Sequence, residues 1–279
     1  MIAYDKYRVC IIVPKGNPHA ACFTEVALLL EHTFLSIGVS CDIALNDLAD
    51  DRINIILGAN LLDPDSFSPT ARFIIYQLEQ LSDTEGWYSD TRLRLFQRAH
   101  AVWDYSIENI KFLNEHSITA EHLPIGYHPA LERIQMAENR DIDVLFFGSR
   151  NERRNAILER VHAAGIPVKA LFGVYGKDRD AFIARSNIIL NIHFYSANIF
   201  ESVRISYLLN NRSFVVSEES SVYPYEGISL PLVPYSDLTD TCIRFLDQPE
   251  EIERIRNRTY DEFKSLYPME NLLKNILPH

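Results

Sequence analysis

Short apolar runs alternate with mixed polar and apolar stretches along the whole chain. The runs YRVCIIVP (7–14), INIILGA (53–59), FIIYQ (73–77) and IDVLFF (142–147) hold almost no polar positions. Strands whose two faces are both covered have this composition, as in a parallel sheet flanked by helices. The stretches between them have the amphipathic spacing of helices. The pattern therefore predicts an α/β fold made of doubly wound, mainly parallel sheets.

The alternation stops at GYHPALERIQMAENR (126–140) and then starts again. We interpret residues 127–140 as a linker between an N-terminal Rossmann-like domain (1–126) and a C-terminal Rossmann-like domain (141–279), with a cleft between them. The length of 279 residues suits two domains of about 100–150 residues each.

The densest group of polar side chains falls within residues 187–219. This stretch predicts a buried strand, a polar and aromatic loop (193–200), a helix (201–211) and a second buried strand. The loop leaves the carboxyl end of its strand, where open α/β sheets bind ligands. Glu201 and Arg204 share a face of the first helical turn, and His193 and Asn198 lie in the loop before it. A carboxylate there can accept from sugar hydroxyls, and a guanidinium can hold phosphate. Alternatively, Glu201 only complements the helix dipole and pairs with Arg204.

Two other strand ends of the second half are candidate phosphate contacts. Gly148 ends the strand 142–147 just before a helix, and Arg150 and Arg154 follow it. Exposed backbone N–H groups at such a helix start, together with arginines, form an anion site. The next strand ends in GVYGK, which would bring Lys177 near the same phosphates and let a base lie against Tyr175. The structural alternatives are a surface arginine cluster and an ordinary turn.

The first half offers two candidate general bases. His19, in the loop after the first strand, has a side chain whose pKa lies near working pH. Glu79 follows the strand 73–77 in the polar run QLEQLS and could bind an acceptor sugar or accept its proton. Each residue could also be an exposed loop or helix-start side chain with no catalytic role.

The net charge and the spacing of the cysteines and histidines argue against several classes of partner. The formal net charge of −11 argues against nucleic acid and against long-range attraction to anionic membranes. No apolar run reaches about 18 residues and no signal peptide is recognisable, so we expect a cytoplasmic protein without a transmembrane segment. The four cysteines lack CxxC spacing, and the nine histidines lack HxH or HExxH spacing. We therefore expect reduced thiols, no metal and no other cofactor.

The two α/β halves, the central linker, FGSRNERR and FESVRISYLLNNRSFVVSEE together resemble a GT-B glycosyltransferase. The closest resemblance is to bacterial group-1-like transferases related to spore-coat glycosyltransferases. It implies a metal-independent transferase whose C-terminal half binds a nucleotide-sugar donor and whose N-terminal half binds a glycan or similar acceptor. The final helix (269–277) would pack back on the N-terminal domain.

The sequence departs from that family's second-half signature at Tyr207, and Asn210-Asn211 replace the signature's small residue and glycine. Arg204 matches the arginine of the motif, but Tyr207 stands where a glutamate that holds the ribose is expected. Glu201 or Glu218 would take over that role, or the donor differs. Three hypotheses therefore stay open: an inverting or retaining transferase, another sugar-nucleotide enzyme such as an epimerase or a pyruvyl transferase, and a non-catalytic relative that binds a glycan or a protein.

Overall fold

The computed structural model describes residues 6–16, 18–62, 71–81 and 90–277, with the backbone alone described for 18–20 and 90–92. The chain divides into two compact units, Met1–Ala130 with Pro268–His279, and Leu131–Tyr267. They are called unit 1 and unit 2 below. The predicted linker spans the boundary between them at Ala130 and Leu131.

The helices and strands alternate along both units. In chain order they are β1 (Lys6–Ile11), α1 (Thr24–Ser36), β2 (Ser40–Leu45), β3 (Ile53–Leu57), β4 (Phe73–Gln77), α2 (Asp90–Arg98), β5 (Ala101–Asp104), α3 (Ile107–Glu115), β6 (Glu121–His122), β7 (Ile142–Phe147), α4 (Glu152–Ala163), β8 (Val168–Leu171), α5 (Gly176–Ala184), β9 (Ser186–Asn191), α6 (Ser202–Asn210), β10 (Val215–Glu218), β11 (Leu232–Val233), α7 (Leu238–Leu246), α8 (Pro249–Leu266) and α9 (Met269–Ile276). Short 3-10 helices cover Pro18–Phe23, Ala59–Leu61, Pro129–Leu131 and Tyr235–Asp237.

Unit 1 is built on a parallel sheet with the strand order β2-β1-β3-β4-β5-β6 across its described residues. Every residue of β3 and β4 is buried, which explains their unbroken apolar sequences. The last helix, α9, packs on α1, and its Met269 and Leu273 are fully buried. The Met269 N–H donates to the carbonyl of Tyr127 at 2.8 Å.

Unit 2 is built on a second parallel sheet, whose described strands have the order β11-β10-β9-β7-β8. Val144, Phe146, Ile188 and Leu190 alternate along β7 and β9 and share one core cluster with residues of α4 and α7. From β7 the chain crosses to β8 on one side, and from β9 it crosses to β10 on the other. Ligands of open α/β sheets bind at such a switch point, outside the carboxyl ends of the two strands. The strand order therefore directs attention to the ends of β7 and β9.

The predicted fold class is confirmed: both sheets are parallel and flanked by helices. One element differs in a way that affects a candidate residue. Helix α5 begins at Gly176, so Lys177, which the sequence placed at the end of a strand, lies on the helix. Asp178 then falls in the first turn, where a carboxylate faces the positive end of the helix dipole.

Two general expectations can be compared with the described residues. The four cysteines, all within those ranges, are free thiols, and Cys10, Cys41 and Cys242 are buried. None of the described helices combines the length and the apolar character that crossing a membrane requires.

Candidate functional site

The candidate site lies at the carboxyl ends of β7, β9 and β10 in unit 2. Asn151 fixes the loop that leaves β7. Its side-chain oxygen accepts from the Arg154 N–H at 2.9 Å, capping α4, and its Nδ2 donates to the Phe194 carbonyl at 3.0 Å. A side-chain cap of this kind satisfies a backbone donor that the helix cannot. Asn151 therefore ties the start of α4 to the loop after β9.

Glu201 lies at the start of α6 and is the central carboxylate of the site. Its Oε2 accepts from Asn191 Nδ2 at 2.9 Å and lies 3.0 Å from His193 Nδ1. Burial alone would raise the pKa of the carboxyl, but His193, Arg204 and Asn191 together bring that pKa below its ordinary value. Its Oε1 is buried without a hydrogen-bond partner among the described residues. Glu201 is thus an ionised carboxylate whose Oε1 lies 3.7 Å from Nη2 of Arg154.

His193 is fully buried behind Glu201. Its backbone N–H donates to Glu218 Oε2 at 3.0 Å, and its ring Nε2 lies 3.0 Å from the Glu219 carbonyl. Because a carbonyl only accepts, Nε2 carries the hydrogen in this contact, and Nδ1 faces Glu201. Burial lowers the pKa of the imidazole, but Glu201 and the other acceptors outweigh burial, so that the pKa is raised. The ring orients Glu201 and favours its charged form.

Two guanidinium groups lie beside this carboxylate. Arg154 is 3% exposed, and it donates to the carbonyls of Ile192 and Ser149, each at 2.8 Å. Burial, followed by the charge of Arg204, lowers the pKa of Arg154 to about 9. Arg204 Nη1 donates to Asn191 Oδ1 at 2.8 Å. Two like charges so close together, in a partly dry setting, favour binding of an anion.

Gly148 is the point where these two arginines meet the backbone. Its φ of +132° is a conformation that residues with a side chain rarely adopt. A Cβ at this position would lie 2.6 Å from Arg204 Nη2 and 3.5 Å from Arg154 Nη1. Glycine therefore allows the guanidinium of Arg204 to approach the end of β7.

The side chain of Glu218, at the end of β10, is held by an ion pair with Arg153. It is 4% exposed, accepts from Arg153 Nη1 at 2.7 Å and forms an ion pair through its second oxygen with Nη2 of the same arginine. The Arg153 guanidinium also lies 4.1 Å from the centre of the Tyr235 ring. Because both oxygens of Glu218 are engaged, Glu201 is the better candidate for a ligand hydroxyl.

Tyr207 joins α6 to α5. Its hydroxyl donates to Asp180 Oδ2 at 2.9 Å. Arg179 pairs with the other oxygen of Asp180 at 2.8 Å and lies 4.7 Å from the Tyr207 ring centre. Tyr207, which stands where the glutamate of the motif is expected, thus connects α5 and α6.

In unit 1, two carboxyl groups lie at the ends of β4 and β5. Burial raises the pKa of Glu79 to about 7. Asp104 is fully buried, and burial raises its pKa well above the ordinary value. Asn109 Nδ2 bridges the two positions, donating to Asp104 Oδ1 at 3.0 Å and to the Glu79 carbonyl at 2.8 Å. Glu79 can therefore exchange a proton near neutral pH.

Comparison by sequence gives distant relatives. No family model matches the chain. An uncharacterized protein of Acanthamoeba polyphaga mimivirus is 29% identical over 176 residues, which is 61% of this chain and 24% of that protein. A second uncharacterized protein of the same virus is 25% identical over 220 residues, 75% of this chain and 24% of that protein. The chain thus spans about a quarter of the length of these relatives.

Comparison by structure decides the fold. AviGT4, a glycosyltransferase involved in avilamycin A biosynthesis, matches with a TM-score of 0.56 at 13% identity, over 98% of this chain and 95% of that one. TarM of S. aureus, in complex with fondaparinux, alpha-GlcNAc-glycerol and UDP, matches with 0.58 at 11% identity, over 89% and 57%. The chain has the GT-B glycosyltransferase fold. The pneumococcal O-GlcNAc transferase GtfA, in complex with UDP and GlcNAc, also matches, with 0.55 at 10% identity over 88% and 58%.

Within this GT-B chain, the structure brings some of the candidate residues together. The residues that meet at the ends of β7 and β9 are Gly148, Arg154, His193, Glu201 and Arg204. The surroundings of four other candidates are different. Arg150 is exposed and donates to Asn155 Oδ1 at 2.7 Å, and Lys177 is exposed on α5. Tyr175 directly precedes α5, and Asn198 lies in the loop after β9 with φ +50°. For His19, the backbone lies in a 3-10 helix and the side chain is outside the described residues.

Sequence reasoning missed Asn191 and Arg153. Asn191 is fully buried and contacts Glu201, Arg204 and Ser217. The sequence feature that indicates Asn191 is an amide at the end of an otherwise apolar strand, since a buried amide requires several hydrogen-bond partners.

Among the described residues, no cluster of three His, Cys, Asp or Glu side chains could hold a metal ion.

Proposed function

We propose that this chain is a glycosyltransferase that moves a sugar from a nucleotide-sugar donor to a glycan or related acceptor. Unit 2 binds the donor at the ends of β7 and β9, and the arginines, rather than a metal, supply the charge that faces the diphosphate. The GT-B fold and the UDP named for two of the similar structures support this proposal.

The arrangement around Glu201 carries the proposal. Oε1 of the ionised Glu201 carboxylate makes no hydrogen bond to a described residue and lies 3.7 Å from Nη2 of Arg154. A Cβ at Gly148 would meet both Arg204 and Arg154. A sugar diphosphate needs both features, because its hydroxyls donate and its phosphates accept. In this proposal Glu201 holds the sugar, and Arg154 and Arg204 hold the diphosphate.

The chemistry is displacement at the anomeric carbon. A hydroxyl oxygen of the acceptor forms the new bond to that carbon, and the bond to the phosphate oxygen breaks. The nucleoside diphosphate leaves with the electron pair, and its growing negative charge is stabilised by Arg154 and Arg204. Preorganised cations in a partly dry site are effective at this task.

The acceptor proton requires a base if the reaction inverts the anomeric centre. Glu79 is our candidate because its pKa of about 7 leaves it partly ionised at neutral pH, which suits a general base. If the reaction retains the configuration, the leaving diphosphate can take the proton and Glu79 is not needed.

A thermal-shift screen tests the donor proposal. Wild-type protein is heated with UDP, GDP, CMP, ADP or dTDP, first without metal and then with Mg²⁺. A ligand that binds the native state at 100 times its Kd adds about 2.7 kcal/mol of stability. We expect one diphosphate to raise the melting temperature without metal.

Two variants locate the effect. Arg204→Ala should abolish the shift. Arg254→Ala, which removes an exposed α8 arginine paired with Glu251, should leave it unchanged. If none of the nucleotides produces a shift at millimolar concentration, the donor-site assignment is wrong, and a binding role for this GT-B chain becomes the better hypothesis.

A further inference from the structure

A second pair of arginines lies in unit 2, at the opposite end of β7 from the proposed donor site. Arg140 stands two residues before the start of β7, and Arg256 lies on the buried face of α8. Strand β7 has six residues, and a strand of that length spans about 20 Å. The pair is therefore separate from the arginines at the carboxyl end of the strand.

Both guanidinium groups contact the same oxygen of Glu253, one turn before Arg256 on α8. Arg140 Nη1 donates to Glu253 Oε1 at 2.8 Å, and Arg256 Nη2 forms an ion pair with that oxygen. Asp141, the chain neighbour of Arg140, is engaged instead by Arg185, whose Nε donates to it at 2.7 Å. In the described contacts of the pair, two positive charges thus share one negative charge.

The hydrogen-bond donors of the pair are incompletely used. Arg140 Nε and Arg256 Nη1 are buried and have no hydrogen-bond partner among the described residues. Buried donors almost always have acceptors, and a charged donor without one carries a free-energy cost. Burial, followed by the charge of Arg140, lowers the pKa of Arg256 to about 10, and burial lowers the pKa of Arg140. The positive charge of this pair is therefore only partly compensated.

The three side chains differ in how far packing restrains them. The side chain of Arg256 is 3% exposed and that of Arg140 is 15% exposed, whereas that of Glu253 is 52% exposed. A half-exposed glutamate can move into water by a change of rotamer, but the arginines cannot leave without repacking. Glu253 is thus the member of the group that a competing anion can displace.

We propose that Arg140 and Arg256 form a second anion site, which binds the phosphate group of a small molecule when Glu253 turns toward solvent. A phosphate monoester carries about −1.5 to −2 charges at neutral pH, so it balances two guanidinium groups better than one carboxylate does. Its oxygens also match the fork of N–H donors that arginine presents. The inference does not rest on the proposed function, because it uses none of the residues assigned to the donor.

Titration calorimetry in a buffer without phosphate or sulfate tests the inference. The probes are inorganic phosphate and glycerol 3-phosphate, and every protein carries Arg204→Ala to weaken the proposed donor site. We expect Glu253→Ala to bind phosphate roughly 10- to 150-fold more tightly, because the anion no longer competes with a carboxylate for charge-assisted hydrogen bonds. Adding either Arg256→Met or Arg140→Gln to Glu253→Ala should remove this gain, and the second variant serves if the first does not fold.

The matched control is Glu251→Ala, which removes another carboxylate of α8 that pairs with an arginine, Arg254. It should leave the phosphate affinity unchanged. If Glu253→Ala binds phosphate no more tightly than Glu251→Ala, the contact is an ordinary ion pair and the inference is wrong. A gain that persists in both double variants would also refute it, because the phosphate would then lie elsewhere.

The two probes distinguish the sources of the phosphate group. Tighter binding of glycerol 3-phosphate in Glu253→Ala would identify a phosphomonoester as the ligand class. Tighter binding of inorganic phosphate would identify the free ion.

Discussion

Gly148 illustrates how a single residue depends on its neighbours as well as on its own backbone. Its positive φ favours glycine, but so does the guanidinium of Arg204, which would lie 2.6 Å from a Cβ at this position. Gly165 also has a positive φ, +87°, but a Cβ there would meet no described atom within 4 Å. Comparing a substitution at Gly148 with one at Gly165 therefore distinguishes the cost of backbone strain from the effect of displacing Arg204.

We expect Gly148→Ala and Gly165→Ala to lose similar stability, about 1–3 kcal/mol each, from the unfavourable backbone conformation. Only Gly148→Ala should also weaken nucleoside diphosphate binding, by about 10-fold (~1.4 kcal/mol), because it displaces Arg204. Urea unfolding and calorimetry measure the two quantities. Equal affinities in the two variants would show that Arg204 does not contact the ligand.

The His193–Glu201 contact predicts a titration. Burial lowers the pKa of His193 and Glu201 raises it, with the raising effects dominant. In Glu201→Gln the charge that favours the imidazolium is gone, so the pKa of His193 should fall below its wild-type value. NMR titration of the histidine ring protons measures this pKa. The control is Glu219→Gln, which changes an exposed side chain but keeps the backbone carbonyl that His193 contacts. It should change the pKa of His193 little. An unchanged pKa of His193 in Glu201→Gln would contradict the assigned contact.

Glu79 gives the proposed reaction its expected pH dependence. Its carboxylate form is the active one for a base, so the rate of an inverting transfer should rise with pH through about 7. Glu79→Gln should lower the rate by about 10²- to 10⁴-fold, whereas Glu115→Gln, at an exposed position of α3, should not. A rate independent of pH between about pH 6 and 8 would instead indicate that Glu79 is not the base.

At the scale of elements, periodicity predicted most strands and helices, and it did so for a physical reason. Strands β4 and β7 have the predicted bounds, because fully buried strands carry strong local signals. Strand β6 covers only Glu121–His122, since pairing at a sheet edge depends on the neighbouring strand rather than on the apolar run itself.

Helix α9 shows a consequence of element packing that can be measured. Leu273 is fully buried, and α9 lies on α1 within unit 1. Leu273→Ala should destabilise unit 1 by about 2–5 kcal/mol. Amide hydrogen exchange should accelerate in α1 while the amides of unit 2 keep their protection. Lys274→Ala, at an exposed position of the same helix, is the control, and equal acceleration in both units would contradict the division of the chain.

At the scale of the whole molecule, the sequence was more informative about architecture than about the site. Two sheets were recognisable because each strand is locally apolar. The site joins Gly148, Asn191, Glu201 and Arg204 from separate elements, and their contacts depend on strand order, which periodicity does not specify. Arg150 and Arg154 look alike in the sequence, but only Arg154 falls on the buried face of α4.

The central claim is that unit 2 binds a nucleoside diphosphate over Gly148. A crystal structure of the protein soaked with the diphosphate that stabilises it most tests this directly. The account predicts phosphate oxygens within hydrogen-bond distance of Arg204 and the sugar side of the ligand toward Glu201. A nucleotide bound elsewhere, with Arg154 and Arg204 untouched, would contradict the account.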